Sequence, residues 1–301
     1  MHTVEMGKRI AIKNVLFATD FSPASNSALP YALSMVRRYE ANLFVVHVRP
    51  TDAEIFFASP ESWPAIADEE NSWLQARVNE VEKQVKETPH TVLTPQGNVE
   101  DALADVIRER DIDLLVLGSR GRTGVGKLLL GSVAEEIFRH TVCPVLSIGP
   151  NISQKPDREM QFRRILFATE FSKDSLTALR YAVSLAEEDE AQLTLLHVVE
   201  QPAVGIADTE EIKTSLLTRL QSLVPPESAL WCSPECLIEF GRNFATPSEP
   251  ILEVAAKQGA DLIVLGARPI HGKMGLGTHL SSTTTEILTH ASCPVLTVCA
   301  G

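Results

Sequence analysis

Residues 114–121 read LLVLGSRG, and nine residues later the pair Gly131-Ser132 begins a helical pattern. The apolar run has no internal charge, which is typical of a strand that is buried on both faces of a parallel sheet. Its abrupt change to glycine marks the point where the strand leaves the sheet. Glycines let the backbone approach a phosphate group closely, and a helix start supplies free N–H groups. We therefore interpret the stretch from Gly118 to Ser132 as a phosphate-binding loop.

Four segments of the first half of the chain return in the same order in the second half. They are residues 15–22 and 165–172, 46–48 and 196–198, 113–118 and 261–266, and 143–146 and 293–296. The offset is 150 residues for the first, second and last pairs and 148 for the third, so insertions and deletions lie between them. A repeat of this kind indicates a duplicated domain, with residues 1–150 as the first copy and 151–301 as the second.

Strand and helix patterns alternate strictly within each copy. In the first copy, strands are expected near residues 14–18, 42–48, 90–95, 113–117 and 144–148, and helices near 22–39, 68–87, 99–110 and 132–140. The second copy has a helical pattern near 208–223 and ends in a strand near 294–298. This alternation predicts an α/β fold with right-handed crossovers. We expect two tandem doubly wound, Rossmann-like domains, each a five-stranded parallel sheet with helices on both faces.

Composition excludes several classes of function. The net charge is −12 and is shared by both halves, and the longest basic runs are the pairs Arg37-Arg38 and Arg163-Arg164. Nucleic-acid binding, which needs clustered cations, is therefore not expected. No apolar run approaches the roughly 20 residues of a membrane span, and residues 1–9 lack the apolar region of a signal peptide. Five cysteines, an odd number, do not make a disulfide framework, so we expect a cytoplasmic protein.

Other chemical motifs are weaker. Residues 121–128 have the outline of a Walker A loop, but Leu128 stands where that loop needs Ser or Thr for Mg²⁺. A histidine stands three residues before Cys143, and another stands three residues before Cys293. Each pair offers only two metal ligands, which are too few for a zinc site. These cysteines are interpreted as buried apolar residues, and His47 and His197 as core histidines without a catalytic partner.

Three motifs of the first half resemble those of a universal stress protein domain. They are residues 18–22 (ATDFS), the pair His47-Val48, and the spacing Gly118-x2-Gly121-x9-Gly131-Ser132. Both halves are covered, so the whole chain resembles a tandem universal stress protein with an adenine-nucleotide-hydrolase-like fold. The resemblance implies that the first half binds ATP, with Mg²⁺. The candidate binding residues are Ala18, Thr19, Asp20, Val48, Gly118, Arg120, Gly121, Gly131, Ser132 and Val133.

The resemblance assigns Asp20 to the adenosine end, Val48 to the adenine pocket, and the glycines with Ser132 to the phosphates and ribose. Each residue also has a structural interpretation. Asp20 could be a helix-entry carboxylate, and Ser132 with Glu135 forms a capping box. The glycines could serve only the turns, although their spacing around one helix start favours a phosphate-binding loop.

The second half departs from the family's pattern at three places. Glu170 replaces the aspartate, Pro269 stands in place of Gly121, and Ser281-Ser282 stands in place of Gly131-Ser132. Proline has no N–H to donate to a phosphate, so we expect weak or absent nucleotide binding there. Three nearby glycines leave a rearranged loop as the alternative.

The sequence is compatible with three functions. The first is an ATP-binding regulatory protein of the stress response, as the resemblance implies. The second is a slow ATPase or nucleotidyl-transfer enzyme, and the third is a nucleotide-free interaction scaffold. The final strands, 145–148 and 295–298, would be exposed sheet edges, which predicts that the two copies pair there as an intramolecular pseudo-dimer. A homodimer of chains and an unidentified protein partner remain open.

Overall fold

The computed structural model describes residues 9–49, 63–119, 137, 143–152, 160–200, 209–224, 226, 232–241, 246–267, 270–271, 278–279 and 281–300. The elements of the first half are β1 (Asn14–Ala18), α1 (Pro23–Asn26), α2 (Leu29–Tyr39), β2 (Asn42–Val46), α3 (Trp63–Val85), β3 (His90–Leu93), α4 (Val99–Glu109), β4 (Leu114–Gly118) and β5 (Val145–Ile148). Those of the second half are β6 (Arg164–Ala168), α5 (Lys173–Asp189), β7 (Gln192–Val199), α6 (Thr209–Gln221), β8 (Glu235–Phe240), α7 (Ser248–Gln258), β9 (Leu262–Gly266), β10 (Ile270–His271), β11 (Thr278–His279), α8 (Ser282–His290) and β12 (Val295–Val298).

The strands of the two halves form one continuous sheet. Its order is β3-β2-β1-β4-β5-β12-β9-β6-β7-β8, so each half has the same internal order. Neighbouring strands within a half are parallel, whereas β5 and β12 are antiparallel, with Leu146 opposite Leu296. This register confirms the predicted pairing of the two final strands.

Helices cover both faces of the sheet, as the alternating pattern predicted. Along β1, Val15 and Phe17 belong to one apolar cluster, with side chains of α2, α3, α5 and α6. Leu16 points to the opposite cluster, which includes side chains of α4, α7 and α8. Burial on both faces explains why the strands read as continuous apolar runs. No helix in these parts of the chain is long and apolar enough to span a membrane.

A repeated aspartate fixes the amino-terminal ends of the central strands. Asp113 Oδ2 accepts hydrogen bonds from the backbone N–H groups of residues 13 and 14, at 2.7 and 3.0 Å. In the second half, the carboxylate of Asp261 accepts from residues 163 and 164, at 2.8 and 3.0 Å. The aspartate that precedes the apolar run of each repeat therefore has a structural role.

The prediction of one helix over residues 22–39 is wrong. The chain forms α1, a turn at residues 27–28, and then α2. Pro30 lies at the start of α2 and has no N–H to donate to the preceding turn, so a continuous helix would lose a hydrogen bond there. Arg180 stands at the equivalent position of the second half, and α5 runs unbroken through it. The predicted helix over 132–140 falls outside the described residues except for Ile137, which is helical.

Candidate functional site

The candidate site lies at the carboxyl ends of β1 and β4. These strands are neighbours in the sheet. From β1 the chain runs through α1 and α2 to β2 on one side of β1, whereas β4 lies on the other side. The strand order therefore reverses between β1 and β4. Open parallel sheets bind ligands at such a switch point. The structure brings five predicted residues to this edge: Ala18, Thr19, Asp20, Val48 and Gly118. The other predicted residues, Arg120, Gly121, Gly131, Ser132 and Val133, lie outside the described parts of the chain.

Thr19 holds the turn that follows β1. Its backbone N–H donates to Val46 O at 2.9 Å, which continues the strand pairing by one residue. Its buried Oγ1 accepts from the N–H of Phe21 at 2.9 Å and from the hydroxyl of Ser25 at 2.8 Å. All these bonds are internal to the fold, so Thr19 acts at the site by shaping its backbone.

Asp20 follows at the edge of the sheet. Its Oδ1 accepts a hydrogen bond from the N–H of Ser22 at 2.9 Å, and Ser22 Oγ in turn accepts from Ser25 N at 3.1 Å. This is the helix-entry role that the sequence left open. Asp20 is half-buried and lies two residues beyond the end of β1, at the edge of the sheet that the sequence predicted as the binding site.

An aromatic cluster packs against this turn. Phe21 has a left-handed backbone, with φ of 59°, which is rare for a bulky residue. Its ring centroid lies 4.6 Å from that of His47 and 5.9 Å from that of Trp73. His47 Nδ1 lies 2.8 Å from Thr19 O, and because a carbonyl oxygen only accepts, Nδ1 carries the proton. His47 is thus the satisfied core histidine that the sequence favoured.

Sequence analysis missed Phe21 and Trp73 as parts of this edge. Phe21 had a usable signal, because Phe171 repeats it and has the same left-handed backbone, with φ of 61°. The ring of Phe171 lies 4.6 Å from that of His197, as in the first half. Trp73 comes from the middle of α3, and no local pattern marks it. The strained turn belongs to the fold of both halves rather than to a ligand of one half.

Val48 lies two residues beyond the end of β2. It is half-buried and packs against the apolar cluster beneath the sheet edge. The neighbouring Arg49 donates its backbone N–H to Pro95 O at 2.8 Å, which holds this segment beside the end of β3. Val48 therefore offers an apolar surface at the edge, and its contact with an adenine ring stays a prediction.

Gly118 ends β4 where α1 crosses it. A Cβ at this position would lie 2.7 Å from Ala24 O and 3.0 Å from Ser25 Cα, so no larger residue fits. Gly266 ends β9 in the same way, and its Cβ would lie 2.6 Å from the carbonyl carbon of Asp174. The first glycine of the motif is thus needed for helix packing in both halves, independently of any ligand.

The two halves differ in charge at this contact. Asp174, in the first turn of α5, is buried with an exposed fraction of 4%, and its Oδ1 accepts from Ala300 N at 2.8 Å. Ala24 occupies the equivalent position of the first half. Sequence analysis missed Asp174, although the replacement of alanine by aspartate inside the repeat was visible. The second half therefore holds a buried carboxylate in the helix turn that packs on Gly266, at a position where the first half has alanine.

The structure also describes both cysteines and the second histidine of the His-x2-Cys repeats. Cys143 and Cys293 are buried, and burial raises the pKa of each thiol to about 12. His290 ends α8, where its Nδ1 lies 2.9 Å from Glu286 O. Within the residues that the structure describes, no three His, Cys, Asp or Glu side chains group as metal ligands.

Comparisons with known proteins agree with the division of the chain into two similar halves. The sequence profile described as "Universal stress protein family" matches residues 11–148 and 161–298. A universal stress protein of Mycobacterium tuberculosis is 25% identical over 300 residues, which cover 94% of this chain and 95% of the relative. A universal stress protein A homolog of Coxiella burnetii is 31% identical over 143 residues, 45% of this chain and 95% of the relative.

A solved structure supports the same architecture. The crystal structure of a universal stress protein from Archaeoglobus fulgidus superposes with a TM-score of 0.70 at 22% identity, covering 96% of this chain and 98% of the other. This similarity shows the fold. Because the family profile matches both halves, which together make up most of the sequence, the chain belongs to the universal stress protein family as a tandem of two of its domains.

Proposed function

We propose that the chain binds ATP through its first half and that the bound nucleotide biases the conformation or assembly of the protein during stress. The observation that carries this proposal is the difference at one contact of the repeat. In the first half the backbone of Ala24 packs on Gly118, whereas in the second half the backbone of Asp174 packs on Gly266. The buried carboxylate of Asp174 accepts a hydrogen bond from Ala300 N, just beyond the end of the neighbouring strand β12. A fixed negative charge disfavours a phosphate, so the two sites are not equivalent for an anionic ligand.

The residues at the edge of the first half fit an adenine nucleotide. The half-buried Val48 offers apolar contact to the adenine ring, and the carboxylate of Asp20 can accept hydrogen bonds from ribose hydroxyls. The phosphates would lie along the loop from Gly118 to Ser132, on backbone N–H groups. Mg²⁺ would enter with ATP, because this ion is usually held by substrate phosphates and water.

The second half would act as a structural or regulatory partner. Glu170 replaces Asp20 with a longer side chain, and Pro269 removes an N–H from the loop. Together with Asp174, these changes disfavour a bound nucleotide in three separate ways. We also propose a cytoplasmic location, and an assembly or partner protein that responds to the nucleotide state of the first half.

Calorimetric titration of the full chain with Mg²⁺-ATP tests the proposal. We expect about one site per chain, and a loss of affinity of at least about tenfold in Asp20→Ala, since hydrogen bonds to a charged group contribute about 1.5–3 kcal/mol. Ser132→Ala should weaken binding as well. Glu170→Ala and Ser282→Ala change the equivalent positions of the second half and are the matched controls, expected to bind as the wild type does.

Other outcomes identify the other functions. Two equal sites, or equal losses in Asp20→Ala and Glu170→Ala, would contradict the assignment to the first half. No binding at millimolar ATP would favour the interaction scaffold. Multiple-turnover production of ADP that Asp20→Ala abolishes would favour a slow ATPase.

A further inference from the structure

The two halves meet with an approximate two-fold symmetry, as two identical subunits do. The hydroxyl of Ser34 accepts a hydrogen bond from Met160 N at 2.5 Å, and the hydroxyl of Ser184 accepts one from Ile10 N at 3.0 Å. Ser184 and Met160 stand 150 residues after Ser34 and Ile10, so the two bonds are reciprocal. The antiparallel register of β5 and β12 has the same symmetry. Each half therefore presents equivalent positions to the other.

The charges on this interface break the symmetry. Arg38, at the end of α2, and Glu188, at the end of α5, are equivalent positions that face each other. One guanidinium nitrogen of Arg38 lies 2.8 Å from Glu188 Oε2, and another lies 2.7 Å from Asp189 Oδ2. We call these three residues the interdomain charge cluster. Their side chains have exposed fractions of only 13%, 16% and 6%, so solvent screens them weakly.

The surrounding groups hold the acidic side of the cluster in place. Glu188 Oε2 also accepts from the hydroxyl of Tyr39 at 2.7 Å, and its Oε1 accepts from the hydroxyl of Ser184 at 3.0 Å. Asp189 Oδ2 accepts from Phe162 N at 2.8 Å. The carboxylates are thus fixed by hydrogen bonds and are not free to turn away from an opposing charge.

Pairing of like halves would oppose like charges at this point. Because position 38 faces its own equivalent, a second copy of the first half would bring Arg38 against Arg38. A second copy of the second half would bring Glu188 and Asp189 against the same two carboxylates. A buried charge without a counter-ion is strongly unfavourable, and opposed like charges exclude wrong partners.

We propose that the interdomain charge cluster makes domain pairing selective. The first half accepts the second half of a tandem chain and rejects a second copy of itself, and the second half does the same. The shared edge of β5 and β12 is thereby reserved for unlike halves. Where several chains assemble, either a first half still pairs with a second half across β5 and β12, or the chains contact each other through other surfaces.

The rejected pairings can be reproduced inside one chain. Arg38→Glu opposes acidic side chains, as in a pair of second halves. Glu188→Arg combined with Asp189→Asn opposes arginines, as in a pair of first halves, because Asp189 alone would still pair with Arg38. Arg38→Gln and the pair Glu188→Gln/Asp189→Asn are the matched glutamine controls, because they remove the attraction without adding repulsion. The double variant carries both reversals, which exchanges the charges and restores the complementary pair.

Thermal unfolding of the full chain measures the effect. We expect each charge reversal to lower Tm by roughly 5–10 °C and by clearly more than its glutamine control. The double variant should recover at least about half of that loss. Reversal variants that unfold at the same temperature as the glutamine controls, or a double variant without recovery, would overturn the proposal.

Mixing tests the choice of partner directly. The two reversal variants, unfolded together and refolded at equal concentrations, supply each other's missing charge, so light scattering should detect a complex of two chains. The two glutamine variants, treated in the same way, should remain as they are alone. If the mixed reversal variants give no two-chain complex, the cluster is a stabilising ion pair only, and the selectivity is refuted.

Discussion

Replacement of Gly118 by alanine should destabilise the chain even without a nucleotide. The added Cβ would lie 2.7 Å from Ala24 O, whereas ordinary contacts begin at 3.4 Å. The backbone of α1 would have to move by about 0.7 Å, against the hydrogen bonds that tie Ser25 to Thr19 and to Ser22. Overpacking of this kind costs about 2 kcal/mol, which corresponds to a fall in Tm of about 3 °C for a chain of 301 residues.

The assay is urea unfolding of the full chain without ATP, followed by fluorescence or circular dichroism. Gly149→Ala is the control, because Gly149 follows β5 at the same edge of the sheet and its Cβ would lie 3.4 Å from Leu288 O. That contact is ordinary, and replacing glycine where space allows reduces the entropy of the unfolded chain. We expect the control to be as stable as the wild type or slightly more stable.

If Gly118→Ala unfolds at the same urea concentration as Gly149→Ala, the close approach of α1 does not require glycine. If the variant is stable but no longer binds ATP, the glycine serves the ligand alone. Gly266→Ala extends the test, since its Cβ would lie 2.6 Å from Asp174 backbone carbon and the loss should be larger.

Two further predictions concern groups buried at or near the junction of the halves. Among the described residues, the buried hydroxyl of Ser147 has no hydrogen-bond partner, whereas Thr297, its equivalent, donates to Val145 O at 3.3 Å. Ser147→Ala should therefore keep or raise the free energy of unfolding, while Thr297→Val should lower it by about 1 kcal/mol; urea unfolding compares them, and equal losses would contradict this. Since burial raises the pKa of the Cys143 and Cys293 thiols to about 12, both should resist an aromatic disulfide reagent at pH 8 until the protein is unfolded. Mass spectrometry locates the label, and early labelling of either cysteine would contradict the packing.

Much of the fold was predictable from local patterns. The apolar runs at 15–18 and 114–117 identified β1 and β4, because a strand buried on both faces needs continuous apolar side chains. The start of α1 was predictable from Ser22 and Pro23, because serine is a favoured N-cap residue and proline is favoured at the first helical position. The break before α2 was missed, since it depends on Pro30 at a position where the repeat has Arg180.

The candidate site was predictable only in part. The motif located Asp20, Val48 and Gly118 at one edge of the sheet, because the carboxyl ends of parallel strands meet there. It did not reveal that Gly118 makes room for a helix, nor that Trp73 packs beside the turn. Those contacts join residues far apart in the chain, and no local periodicity records them.

The sequence by itself determined the duplication, the α/β class and the family, because repeats, hydrophobic periodicity and glycine spacing are properties of neighbouring residues. Only the tertiary structure decided which strand lies beside which and what crosses each strand end. It alone brought Arg38 against Glu188 and buried Asp174 beside Gly266. Those contacts follow from the two-fold pairing of the halves and the crossing of helices, which fix distances between residues that the chain itself keeps about 90 to 150 positions apart.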